Sequence, residues 1–160
     1  MEIKTTAFSP GGPIPKKFTG EGEDLSPALS WTGVPEKTQS LALIMDDPDA
    51  PPGTWVHWLL YDLPATSKGL PEGLPKKENL DGGAKQVLCW GVDSFDRVGY
   101  FGPLPPPGKP HRYYFKLFAL DVALGDRGKL RKAELEKAMQ DHVLSIAELQ
   151  GTYEKKKARR

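Results

Sequence analysis

The sequence predicts a mainly β protein made of antiparallel strands, with one clear helix near the C-terminus. Apolar and aromatic runs of strand length recur along the chain, and turns rich in glycine (17 residues) and proline (16 residues) separate them. A helical period of apolar residues occurs only once, late in the chain. With 160 residues the chain can bury a core. We expect a single domain over residues 1–154 and a basic tail over 155–160.

The first part of the chain predicts extended segments and one central strand. Residues 2–8 alternate in polarity and predict an opening strand. A second extended piece begins at Phe18, and within residues 24–31 Pro27 favours an extended backbone at Ser26. Residues 38–45 end in the continuous apolar run LALIM, which is typical of a strand buried on both faces.

Two more strands and a long connection follow. The strand predicted at 54–64 places alternate side chains on one face, namely Trp55, His57, Leu59 and Tyr61. Residues 65–85 are rich in glycine, proline and lysine and predict a surface loop. Residues 86–90 predict a short strand, whose apolar neighbours favour a buried thiol for Cys89. Because Cys89 is the only cysteine, the chain can form no internal disulfide.

The next stretch joins a rigid loop to a buried strand. Residues 99–110 hold three glycines and five prolines, which exclude a helix or a central strand. Residues 111–121 are aromatic and predict a strand. Since side chains alternate along a strand, His111 and Tyr113 share one face and Arg112 lies on the other.

A helix and a closing strand complete the prediction. Residues 130–140 contain good helix formers, and the helical spacing places four side chains on one apolar face, namely Leu135, Ala138, Met139 and His142. Gly128 is the nearest candidate for the N-cap. Residues 148–153 alternate again and predict the last strand.

The charge distribution excludes some classes of function. The net charge is +1, but five basic residues lie at 155–160, so the rest of the chain has 17 basic and 21 acidic residues. An acidic body argues against nucleic-acid binding, and the basic run is typical of a solvated end. No apolar run has the length of a signal peptide core or a membrane span, which predicts a soluble cytoplasmic protein that does not span the membrane.

Polar residues cluster where the predicted apolar strands begin or end. The clusters comprise Asp46, Asp47 and Asp49, then His57, and then His111 with Tyr113. A carboxylate beside imidazoles would orient them and favour their charged form. Protonated histidines and a phenol hydroxyl would form a compact set of donors for a phosphate or carboxylate ligand. The third histidine, His142, is interpreted as structural.

Other interpretations of these residues stay open at this stage. His57 alone is equally consistent with a hydrogen-bonded core histidine, and Asp47 with an ordinary turn residue. Two histidines and one aspartate could bind a metal, although the usual close ligand spacings are absent. Nucleophilic catalysis would need Ser26 or Ser94, neither of which lies in a GxSxG motif. The phosphate-binding motifs GxGxxG and GxxxxGK[ST] are also absent.

Several motifs together resemble the phosphatidylethanolamine-binding protein family. They are DPDAP at 47–51, WVHW at 55–58, and GYFGPLPPPGKPHRYYFKLFALD at 99–121. SPALSW at 26–31 and HVLSIAELQGTY at 142–153 fit its bacterial and archaeal branch, often labelled Raf kinase inhibitor-like. The resemblance covers nearly the whole chain.

The resemblance implies a Greek-key antiparallel β-sandwich with few peripheral helices and a small anion pocket at one end, which binds phosphate-type head groups. We expect no cofactor, no metal and no catalytic residue. By motif position the ligand-binding residues are Asp47, Pro51, His57, Tyr100, Gly102, Pro103, His111 and Tyr113. The resemblance also implies a cis peptide bond between Ala50 and Pro51.

The chain departs from the family pattern near the expected pocket. Leu104 stands where the family commonly has cysteine, and Asp96 stands where it often has glycine after the Asp93-Ser94-Phe95 element. We expect a non-enzymatic protein that binds a small anion. The alternatives are a hydrolase or lyase acting through Asp47, His57 and His111, and a regulatory protein whose pocket controls a protein partner. A homodimer is expected on family grounds only, and the kinase-inhibiting role does not transfer with the fold.

Overall fold

The structure is a computed structural model that describes residues 1–92 and 95–157. Within these ranges the chain forms ten strands, one α-helix and two short 3-10 helices, at Lys16–Phe18 and Asp81–Gly83. The strands are β1 (Glu2–Lys4), β2 (Leu29–Thr32), β3 (Ser40–Asp47), β4 (Trp55–Pro64), β5 (Gly69–Leu70), β6 (Lys85–Gln86), β7 (Leu88–Cys89), β8 (Arg97–Val98), β9 (His111–Leu120) and β10 (Val143–Tyr153). The helix α1 spans Lys132–Met139. The predicted fold class, mainly antiparallel β with one helix near the C-terminus, is confirmed.

The five-stranded sheet has the strand order β10-β9-β3-β4-β6, and neighbouring strands are antiparallel. Strands β3, β4 and β6 follow one another in the sheet, and β9 then returns over a long connection to pair with β3. This arrangement of four strands is a Greek key. A second sheet, β1-β2-β5, packs on one face and closes a sandwich, and β7 pairs with β8.

Strand β3 lies at the centre of the five-stranded sheet, and all eight of its residues are buried. Leu41 and Leu43 belong to the core shared with the second sheet, whereas Ala42 and Ile44 pack in the core beneath α1. Burial on both faces explains why this strand has no polar alternation. The predicted central strand is therefore confirmed.

Several predicted boundaries are wrong for local reasons. Phe18 ends a 3-10 turn instead of opening an extended segment, because the Thr19 hydroxyl donates to the Lys16 carbonyl at 2.8 Å and closes the turn. The strand predicted at 86–90 is divided between two sheets, as β6 and β7. Strand β10 begins at Val143, five residues earlier than predicted.

The helix is shorter than predicted, and its N-cap is Arg131 rather than Gly128. The Glu134 carboxylate accepts a hydrogen bond from the Arg131 backbone N–H at 3.1 Å, which fixes the first turn. His142 lies beyond the helix, where its Nδ1 is 2.8 Å from Oδ1 of Asp121. The placement of His142 on the apolar helix face was therefore wrong. No helix in the described ranges is both long and apolar enough to cross a membrane.

Candidate functional site

Three strand ends meet at one end of the five-stranded sheet. Because β3 is antiparallel to both β4 and β9, its last residues lie beside the first residues of these two strands, with Asp47 opposite Trp55 and Asp46 opposite Tyr114. They enclose a cavity of about 500 Å³, which we call the end cavity. Its lining residues are Asp47, Ala50, Pro51, Pro52, Trp55, His57, Trp90, Leu104, Pro105, Pro106, His111 and Tyr113.

Asp47 and His111 form a buried pair at this cavity. Oδ2 of Asp47 lies 2.7 Å from Nδ1 of His111, and the other carboxylate oxygen accepts the Asp49 backbone N–H at 2.7 Å. A carboxylate in this position fixes the imidazole with its proton on Nδ1. Nε2, on the opposite edge of the His111 ring, is then the nitrogen available to a ligand.

A β-bulge presents His57 to the cavity. Val56 pairs with Asp46 and Trp58 pairs with Met45, so His57 between them has no partner on β3. Such an extra residue re-aims a side chain and shifts the alternation of the strand by one position. The prediction that His57, Leu59 and Tyr61 share one face was therefore wrong, because Leu59 and Tyr61 pack in the same core as Val56.

His57 is buried and held by a backbone carbonyl. Its Nδ1 lies 2.5 Å from the carbonyl oxygen of Phe101. A carbonyl can only accept a hydrogen bond, so Nδ1 carries the proton. The rings of Trp90 and Tyr113 contact the imidazole edge-on, with centroids 5.5 and 5.2 Å away. Burial lowers the pKa of His57 and outweighs the opposing effects of the Phe101 carbonyl and of Asp47, which leaves His57 neutral.

Tyr113 supplies a buried polar group that is poorly satisfied. Its hydroxyl has no well-formed hydrogen bond to any residue in the described ranges, although it interacts with the nearby Asp47 carboxylate. Burial and the charge of Asp47 raise the pKa of Tyr113 above its usual range, so the hydroxyl stays protonated. A buried polar group left unsatisfied costs about 1–3 kcal/mol, which a bound acceptor would recover.

The loop after β3 forms one wall of the end cavity and is fastened to β9. The Arg112 guanidinium donates to both carboxylate oxygens of Asp49, at 2.8 and 2.9 Å, and its backbone N–H donates to one of them at 2.9 Å. All peptide bonds in the described ranges are trans, so the cis bond implied at Ala50–Pro51 is not found. The chain turns through Gly53 instead, which adopts φ +133° and donates to the Ala50 carbonyl at 3.0 Å.

The structure does not bring all of the expected site residues to the cavity. Asp47, Pro51, His57, His111 and Tyr113 line it, whereas Tyr100, Gly102 and Pro103 do not. The buried hydroxyl of Tyr100 donates to the Phe18 carbonyl at 2.7 Å. The Gly102 N–H donates to Asp24 at 2.8 Å, and the Pro103 carbonyl accepts from Gly20 at 2.9 Å. These three residues fasten the proline-rich loop to the chain around Phe18.

Sequence reasoning missed several lining residues, above all Trp55 and Trp90, whereas it had placed Leu104 near the expected pocket. Trp55 could have been found, because it lies two positions before His57 in a predicted strand. Leu104 is 42% exposed at the rim, at the position where the chain departs from the family pattern. Trp90 adopts φ +76° and carries the Arg97 guanidinium 4.5 Å from its ring centroid. No local pattern of residues signals that conformation.

The geometry bears on nucleophilic catalysis and metal binding, two alternatives that the sequence left open. Ser26 is buried away from the cavity, where its hydroxyl oxygen accepts the Leu74 N–H at 2.9 Å; Ser94, with Asp93, lies outside the described residues. Within the described ranges no three His, Cys, Asp or Glu side chains are grouped to hold a metal ion. Cys89 is buried as predicted, and burial raises its thiol pKa to about 12.

Together the fold and the end cavity define a Greek-key β-sandwich with a small pocket lined by a carboxylate, two imidazoles and a phenol among apolar side chains. The chain belongs to the phosphatidylethanolamine-binding protein family, whose family model matches residues 4–154.

Relatives and solved structures agree with this assignment. A UPF0098 protein of Methanothermobacter thermautotrophicus is 45% identical over 153 residues, covering 96% of this chain and 98% of that protein. A UPF0098 protein of Aquifex aeolicus is 44% identical over 97% of this chain and 89% of its own length. The crystal structure of the family homologue CT736 from Chlamydia trachomatis has a TM-score of 0.80 at 39% identity and covers 96% of this chain and 97% of CT736. That of YbcL from E. coli, described as a member of the mammalian family, has a TM-score of 0.86 at 31% identity and covers 97% of this chain and 98% of YbcL.

Proposed function

We propose that this protein binds a small oxyanion, a phosphate-type head group or a carboxylate, in the end cavity. The carrying observation is the Tyr113 hydroxyl, a buried donor that has no well-formed hydrogen bond within the described residues, at a cavity that two imidazoles also line. A bound oxyanion gives this hydroxyl an acceptor, and the recovered hydrogen bond favours the complex.

The other lining residues fit the same ligand. His111 directs one ring edge to the ligand while Asp47 holds the other edge, and the His57 ring packs edge-on against Tyr113 in the cavity lining. The prolines of the two flanking loops are rigid walls that add no competing donors. A pocket with fixed walls and few polar groups loses little conformational entropy when it binds a small ligand.

NMR titration of the three histidine imidazoles with phosphate and with phosphoethanolamine tests the proposal. We expect saturable shifts at His57 and His111 and none at His142, which lies outside the end cavity and pairs with Asp121. If His57 and His111 do not respond to either ligand, the proposal is wrong.

A second candidate function rests on the Asp47–His111 pair. A buried carboxylate 2.7 Å from Nδ1 leaves Nε2 as a general base, as required in a hydrolase or lyase that acts on a phosphorylated or acylated substrate. A screen of phosphoesters and acyl esters would reveal turnover that the substitution His111→Ala abolishes. Turnover that survives this substitution would exclude the pair as its source.

A further inference from the structure

We propose that Asp24 is a positioning residue for His57 and that it acts through a single peptide group. The inference rests on the proposed function and deepens it, because it names a residue outside the end cavity that holds the His57 ring in place for a ligand. Within the described ranges Asp24 is half-buried and does not line the cavity, whereas His57 does.

The peptide group between Phe101 and Gly102 connects the two side chains. Its carbonyl oxygen, from Phe101, lies 2.5 Å from Nδ1 of His57, and its N–H, from Gly102, donates to Oδ1 of Asp24 at 2.8 Å. The Phe101 N–H also donates to the His57 carbonyl at 3.2 Å, so two contacts hold His57 against this residue. Because hydrogen bonds in a chain polarise one another, a carboxylate at the N–H end makes the carbonyl a stronger acceptor for the imidazole.

The hydrogen bond to the Phe101 carbonyl fixes the His57 ring in either of its charge states. A carbonyl can only accept, so Nδ1 carries a proton both in the charged ring and in the neutral ring that makes this bond. The bond excludes only the tautomer whose single proton lies on Nε2, and it restricts rotation of the ring. The positioning effect of Asp24 therefore does not depend on the charge of His57.

Asp24 is itself held firmly against the connecting loop. Its backbone adopts φ +57°, a conformation that a residue other than glycine keeps only where its surroundings impose it. The Lys76 ammonium donates to the Asp24 carbonyl at 3.0 Å and to the Tyr100 carbonyl, and it lies 3.8 Å from the Asp24 carboxylate. It also lies 4.4 Å from the Phe101 ring centroid. Lys76 thus joins Asp24 to the residues that carry the connecting peptide.

Gly102 allows the carboxylate to approach the peptide closely. A Cβ atom at residue 102 would lie 2.9 Å from Oδ1 of Asp24, closer than side chains pack without a shift. The family resemblance placed Gly102 among the ligand-binding residues, but it does not line the end cavity. It supplies instead the N–H through which Asp24 acts on His57.

The chain offers a matched control in Asp62. Its backbone has φ +55°, it is half-buried like Asp24, and its carboxylate accepts the N–H groups of Leu124 and Gly125 at 2.7 and 2.9 Å. None of these three residues lines the end cavity as the described ranges define it. The same substitution at both aspartates therefore separates an effect on His57 from the general loss of an acceptor for backbone N–H groups.

NMR of the ¹⁵N-labelled imidazoles in the free protein at pH 7.5 tests the connection without a ligand. Asp24→Asn keeps an acceptor oxygen but removes the charge, so the Nδ1 proton of His57 should move upfield as its hydrogen bond weakens. Asp24→Gly removes the acceptor and tolerates the positive φ, so we expect a larger shift in the same direction and faster exchange of this proton with solvent. Asp62→Asn and Asp62→Gly should leave the His57 signals unchanged.

Calorimetric titration of the same variants with inorganic phosphate measures the consequence for binding. We expect Asp24→Gly to bind phosphate about tenfold more weakly than Asp62→Gly, because one hydrogen bond is worth roughly that factor, with Asp24→Asn in between. If Asp24→Gly does not fold, the isosteric Asp24→Asn provides both comparisons. Equal His57 spectra, or equal phosphate affinities, in the Asp24 and Asp62 variants would overturn the inference and leave the proposed function intact. Absence of phosphate binding by the unaltered protein would overturn the proposed function, while the spectra of the free protein still decide whether Asp24 acts on His57.

Discussion

Nδ1 of His111 lies 2.7 Å from Oδ2 of Asp47, and nearly the same geometry recurs between His142 and Asp121 at 2.8 Å. The two pairs differ in burial. The side chains of His111 and Asp47 are 9% and 3% exposed, whereas those of His142 and Asp121 are 41% and 42% exposed. The chain therefore contains a natural comparison between a pair at the end cavity and an ordinary surface pair.

Asp47→Ala should destabilise the protein by about 3 kcal/mol, because it leaves the buried Nδ1 of His111 and the Asp49 N–H without their acceptor. The matched control Asp121→Ala should cost about 1 kcal/mol or less, since solvent replaces the lost contact. Urea unfolding of both variants measures the two values. Equal losses would contradict a special role for the buried pair.

Tyr113→Phe should leave the free energy of unfolding unchanged or raise it by about 1 kcal/mol, because it removes a buried hydroxyl that has no well-formed hydrogen bond within the described residues. The same substitution should weaken phosphate binding. In the control Tyr100→Phe, loss of the hydrogen bond to the Phe18 carbonyl should cost about 1–2 kcal/mol of stability without affecting binding. Unfolding curves and phosphate titrations together measure both effects. A loss of stability in Tyr113→Phe as large as in Tyr100→Phe would show that the Tyr113 hydroxyl is already satisfied.

The sequence was sufficient for the features that depend on local pattern. The apolar run of β3 predicted a central strand, and the positions of Asp47, His57 and His111 at strand boundaries predicted a shared polar site. The sequence was insufficient where contacts between residues far apart in the chain determine the backbone conformation. The bulge at His57 depends on the register between β3 and β4, and the positive φ of Trp90 depends on packing that no neighbouring residue specifies. The separation of Tyr100 and Gly102 from the cavity likewise depends on the chain around Phe18.

The ion pair between Asp49 and Arg112 should stabilise the fold in a defined pH window. Hydrogen bonds from Arg112 lower the pKa of Asp49 from 3.8 to about 2. A carboxyl group whose pKa is lowered by folding contributes stability above its unfolded pKa, and this contribution is lost as the pH falls from about 4 to about 2. Urea unfolding across pH 2 to 5 should show a smaller pH dependence for Arg112→Ala than for the unaltered protein.

Lys4→Ala is the control for this window, because Lys4 forms only an exposed ion pair with Glu2 at 3.6 Å. Its pH dependence should match that of the unaltered protein. If Arg112→Ala also matched it, the pair would not contribute to stability in this range.

Gly102→Ala tests whether Gly102 stabilises the fold next to the end cavity or contacts the ligand directly. A Cβ atom at residue 102 would lie 2.1 Å from the Phe18 carbonyl oxygen and 2.8 Å from the Tyr100 hydroxyl, so the backbone must shift. We expect a loss of about 3 kcal/mol in the free energy of unfolding. Gly128→Ala is the control, because it meets no atom within 4 Å and carries only the strain of φ +71°, about 1 kcal/mol. Since Gly102 does not line the cavity, any loss of phosphate affinity in Gly102→Ala should accompany this loss of stability. A variant with normal stability and lost affinity would instead place Gly102 in direct contact with the ligand.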